Sequence, residues 1–63
     1  MQHYYIYTDS ESQEIEAESV EGAIEEFDPV HSTWDSLSSY IERVGGWVGV
    51  QQDGVEILFA GKR

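Results

Sequence analysis

Trp47-Val48-Gly49-Val50-Gln51-Gln52-Asp53-Gly54-Val55-Glu56-Ile57-Leu58-Phe59-Ala60 places two apolar, β-branched runs on either side of Asp53-Gly54. Asp-Gly between such runs is a strong signal for a two-residue hairpin turn. That turn predicts a register. Val50 faces Ile57 and Val48 faces Phe59 on one side of the hairpin, while Trp47 faces Ala60 and Gly49 faces Leu58 on the other. Apolar residues then meet apolar residues across the strands, as a fixed register requires.

Moving toward the N-terminus, Gly45-Gly46 is a helix stop. Before it, Trp34, Leu37, Ile41 and Val44 form an apolar stripe at helical spacing, with Tyr40 beside it and Ser32 or Thr33 as the cap. A second helical stripe comprises Val20, Ala23, Ile24 and Phe27, capped by Ser19. Glu21 lies in its first turn, where the helix dipole favours an anion. Asp28-Pro29 ends it, because proline disfavours a helical conformation in the residue before it. Residues 13–18 alternate: Glu14, Glu16 and Glu18 on one side, Ile15 and Ala17 on the other. That is a strand with one wet face. Residues 3–8 are aromatic and β-branched, and polar Asp9-Ser10-Glu11-Ser12 joins the two strands. The order is ββααββ. Residues 1–63 are expected to form one α+β domain, a two-layer sandwich with a small antiparallel sheet and both helices packed on one face.

The chain has 63 residues and no cysteine, so neither a disulfide nor a thiolate metal site can staple it. A domain of this size buries only roughly 60% of its unfolded surface, and its eight aromatic side chains must carry much of the core. The first residues lack the pattern of a signal peptide, and no run approaches a membrane span of about 20 apolar residues, so a soluble, cytoplasmic protein is expected. His3 and His31 stand in none of the common metal-binding spacings, so no metal or other cofactor is expected. A catalytic triad needs a nucleophile, a base, an orienting group and an oxyanion hole, and a chain this short has little room for that pocket. The expectation is a binding protein without enzymatic activity.

Charge is the strongest signal. Thirteen acids face three bases, for a formal net charge of −10. Residues 1–42 hold eleven of the acids and no Lys or Arg. Such self-repulsion opposes the compact state, so the charge is either used or tolerated in high salt. Alternate residues of a strand stand about 6.7 Å apart on one face. Glu14, Glu16 and Glu18 would therefore form a row at about twice the 3.4 Å rise of phosphates along a DNA strand. Glu21, Glu25 and Asp28 continue down one flank of the first helix, and Asp9 and Glu11 extend the row from the loop. Together they make a candidate ribbon of negative charge, suited to a Lys/Arg groove that normally holds nucleic acid. The sheet face away from the helices is a second candidate surface, with Trp47, Leu58 and one or two of Tyr4, Tyr5 and Tyr7.

With this size, charge and element order, the chain looks like the small acidic anti-CRISPR proteins carried by phages and mobile elements. Several of those proteins mimic DNA electrostatically. The resemblance implies a bacterial CRISPR surveillance complex as partner, engaged in the host cytoplasm through the acidic surface, with the chain acting as a monomer or weak homodimer. Two alternatives remain open on the residues alone. One is a structural or regulatory module that associates through the aromatic sheet face. The other is a salt-adapted acidic domain.

Overall fold

The computed structural model describes residues 1–62, which form four strands and two helices in the expected order ββααββ. The strands are β1 (Gln2–Thr8), β2 (Ser12–Ala17), β3 (Trp47–Gln52) and β4 (Val55–Gly61). The helices are α1 (Val20–Phe27) and α2 (Trp34–Val44), with a single 3₁₀ turn at Pro29–His31 between them. The sheet runs β2-β1-β3-β4, and every neighbouring pair is antiparallel. The two hairpins therefore join through their first strands, and β2 and β4 are the edges.

Local chemistry explains the element ends. In the β1–β2 turn the Thr8 amide donates to the Glu11 carbonyl at 2.7 Å, and the Thr8 hydroxyl accepts from the amides of Ser10 and Glu11. Ser19 caps α1 by accepting from the Gly22 amide at 3.1 Å. Thr33 and Ser36 form a reciprocal capping box on α2, each side chain taking the other's amide at 3.2 Å. Gly45 ends α2 in the left-handed region. At the second hairpin Asp53 and Gly54 both have positive φ, 53° and 82°, as a tight turn of this kind demands.

The core lies between the helices and one face of the sheet. Tyr4 and Ile6 of β1, Ile15 and Ala17 of β2, Val48 and Val50 of β3, and Ala60 of β4 meet Ala23, Ile24, Leu37 and Ile41 of the helices. Helix α1 covers β2 and β1, and α2 covers β3 and β4. Ile6, Ile24, Leu37, Val48 and Val50 are the largest side chains sealed completely. Each such residue contributes about 1.5–3 kcal/mol by leaving water. Among the described residues no helix is long and apolar enough to cross a membrane.

The hairpin register differs from the one its turn predicts. Gln52–Val55 and Gln51–Glu56 pair as a two-residue turn dictates, but a β-bulge follows between Val50 and Gln51. Ile57 is the extra residue, and beyond it Val50 pairs with Leu58, Gly49 with Phe59, Val48 with Ala60 and Trp47 with Gly61. One residue of slip moves side chains to the opposite face. Leu58 packs against the core, Phe59 moves to the open side, and Ile57 is left exposed. The α2 stripe is also shorter than expected. Val44 is 58% exposed, because the last turn overhangs a hollow between the helices and the β1–β2 turn.

Candidate functional site

Alternation in β1 divides its side chains cleanly. Tyr4 and Ile6 enter the core, and His3, Tyr5 and Tyr7 stand on the side of the sheet that carries no helix. Their neighbours on that open face follow from the register. Tyr5 lies opposite Glu14 and His3 opposite Glu16 on β2, while Tyr7 lies opposite Gly49 on β3. A Cβ at Gly49 would collide with the Tyr7 ring, so the missing side chain is what lets Tyr7 lie flat across β3. The Tyr7 hydroxyl donates to the Glu56 carboxylate on β4.

The rings form a continuous row. Tyr5 and Tyr7 stack with centroids 5.7 Å apart, Tyr7 meets the edge of Trp47 at 5.7 Å, and Trp47 stacks on Phe59 at 6.4 Å. These are favourable aromatic separations. A shallow hollow of about 510 Å³ opens along the row, lined among others by Tyr5, Tyr7, Trp47, Gln51 and Glu11.

The acidic residues do not form one ribbon. Glu14 and Glu16 border the aromatic row, with side chains 73% and 62% exposed. The His3 ring lies between them, 3.6 Å from Glu14 and 3.3 Å from Glu16. Glu18 is outside the strand ladder, because β2 ends at Ala17. It and Glu25 are exposed.

Two further acids of the proposed row have structural tasks. Glu21 accepts the Trp34 amide at 3.1 Å, placing a carboxylate on the N-terminus of α2 and satisfying one of its orphan donors. Asp28 caps the 3₁₀ turn, accepting from the amides of Val30 and His31 at 3.1 and 3.3 Å and meeting the His31 ring at 3.0 Å. Burial opposes ionisation of Asp28, but the bonds from the His31 ring and amide, the His31 charge and the Val30 amide outweigh it and hold the carboxyl below its ordinary value. Asp9 lies beside Gly46, past the end of α2. Asp9, Glu11 and Asp28 line the hollow beneath the overhanging turn of α2, about 280 Å³ in volume. The carbonyl ends of both helices open toward this hollow, and their dipoles add to its negative potential. Arg43 tempers it nearby, with its guanidinium 5.6 Å from the centre of the Tyr40 ring, which itself stacks on His31.

The structure thus brings Glu14 and Glu16 together on the open face and Asp9, Glu11 and Asp28 together at one end of the molecule. It separates both groups from Glu21, which the α2 terminus occupies. The open face holds Phe59 where the sequence placed Leu58, because of the bulge. From the sequence His3 is considered only as a metal ligand, yet period two in β1 puts it in line with Tyr5 and Tyr7. Three acid–base contacts among the described residues each have a histidine ring as the basic partner. Among those residues no group of three or more His, Cys, Asp or Glu side chains is arranged to hold a metal ion. Comparison with protein-family models, curated proteins and solved structures finds no match to this chain.

Proposed function

We propose that this chain is a non-catalytic inhibitor in the bacterial cytoplasm that binds the basic nucleic-acid groove of a defence complex, and that a CRISPR surveillance complex is the partner. One observation carries the proposal. The chain carries a formal net charge of −10, and Glu14 and Glu16 on the open face are largely exposed to solvent. A groove that binds DNA supplies cations in excess. Release of its counterions drives association, and affinity falls steeply with salt.

The test is capture from bacterial lysate by the tagged chain, followed by a salt gradient, with Glu16→Lys/Glu25→Lys as comparison. The expected outcome is a nucleic-acid-handling complex that elutes at moderate salt from the wild-type chain. The variant, folded by circular dichroism, retains nothing. Equal retention by the variant overturns the proposal.

The aromatic row favours a second reading, an interaction module that associates with its own kind through the open face. Self-association brings together two chains of net charge −10, and that repulsion opposes a dimer at low salt. Sedimentation across concentration separates the readings. The inhibitor is expected to remain monomeric.

A further inference from the structure

We infer that the hollow beneath the overhanging turn of α2 is a second binding pocket, and that its occupant is a lysine side chain of the basic partner. The inference rests on the proposed partner and goes further in naming a pocket and the side chain that fills it.

Carboxylates alone define no site on a solvated surface. Here they stand over an apolar floor. Phe27 of α1 and Leu37, Ile41 and Val44 of α2 line the hollow together with the Tyr40 ring. Leu37 and Ile41 are buried and Val44 is 58% exposed, so this floor runs from the core out to solvent. Asp9 and Glu11 of the β1–β2 turn and Asp28 at the end of α1 supply the acids. The volume of about 280 Å³ exceeds by several times the roughly 30 Å³ that one water occupies, and it admits an extended four-carbon stem.

Shape and charge together select the occupant. An apolar floor with an acidic rim, at the carbonyl ends of two helices, suits a cation on an aliphatic stem. Asp28 is already engaged by the His31 ring at 3.0 Å, so the ammonium is left to Asp9 and Glu11, both exposed at the rim. A bare inorganic cation would leave the floor unused. Arginine gains over lysine by stacking on a ring, and the Tyr40 ring already carries His31 at 4.3 Å and the Arg43 guanidinium at 5.6 Å. Lysine asks only for aliphatic surface and acceptors for a compact charge, and the hollow provides both.

The measurement is amide shift mapping on the intact chain at low salt. The probes are a capped pentapeptide with one central lysine among glycines, its Nε-acetyl form and its arginine counterpart. The lysine peptide is expected to shift Thr8–Glu11, Phe27, Asp28 and residues 40–46, and to bind about fivefold tighter than the Nε-acetyl peptide, the ratio that one or two exposed ion pairs supply. Asp9→Asn/Glu11→Gln should remove that preference. Glu18→Gln/Glu25→Gln, which removes the same charge elsewhere, should keep it. The wild-type map tests the pocket even where a variant fails to fold. Equal binding of the Nε-acetyl peptide, shifts confined to the open sheet face, or no shift at millimolar peptide overturns the pocket and leaves a basic partner standing. Arginine binding as tightly as lysine overturns the choice of side chain. Failure of the partner itself is read separately, from a wild-type chain that captures nothing basic from lysate.

Discussion

The two faces of the sheet come from the same four strands and obey opposite rules. On the helix side Tyr4, Ile6, Ile15, Ala17, Val48, Val50 and Ala60 are all buried, and each is chosen by what it packs against. On the other side the same strands present His3, Tyr5, Tyr7, Glu14, Glu16, Trp47 and Phe59. Folding needs the first face to be apolar and closely fitted. It asks much less of the second, where a row of rings between carboxylates is more than solubility requires. The comparison teaches where to look for function in a small domain: on the face whose composition burial does not explain.

Substitutions should separate the faces by their effect on stability. Leu37→Ala, in the core, is expected to cost about 2–5 kcal/mol, enough to unfold much of a 63-residue domain, as read by urea denaturation. Gly49→Ala lies between the faces, since its methyl group must displace the Tyr7 ring. A loss of about 1–3 kcal/mol is expected, with altered near-ultraviolet circular dichroism from the disturbed row.

Asp28→Ala removes a cap and should cost about 0.5–2 kcal/mol. It should also change the acid limb of the stability profile. A depressed folded-state carboxyl stabilises fully above its ordinary value of 3.8 and loses that contribution as pH falls through the lower folded value. Thermal melting of the wild-type chain should therefore decline below about 3.8, and Asp28→Ala should decline less steeply there. Glu14→Gln/Glu16→Gln has the smallest expected effect on the fold, within about 0.5 kcal/mol, because both side chains are exposed. A large loss of stability in that double variant would break the comparison, since it would make the open face a folding requirement.

Much of the fold was legible because its signals are local. Ser19, Thr33 and Gly45 mark helix ends through bonds to residues a few positions away, and Asp53-Gly54 sets a turn by its own backbone preference. The bulge was not legible for a physical reason. Ile57, Leu58 and Phe59 are consecutive and apolar, so a shift of one still pairs apolar with apolar, and only the fit beneath α2 selects Leu58 and Ala60.

The acidic surface shows the same division. Alternation correctly put Glu14 and Glu16 on the face opposite Ile15 and Ala17. The bond from Trp34 to Glu21 spans thirteen residues and arises from helix placement, which no local pattern encodes. From the sequence Asp28 is read as the residue before a proline and as a member of the acidic row, although an aspartate in that place can also cap the turn that follows.

Competition between this chain and DNA tests the central claim most directly. The complex captured from lysate is loaded with labelled duplex DNA and titrated with the wild-type chain at fixed moderate salt. Mutual exclusion is the predicted result, with Glu14→Gln/Glu16→Gln a much weaker competitor. Stable simultaneous binding of chain and DNA would contradict the claim that the acidic surface takes the place of a phosphate backbone.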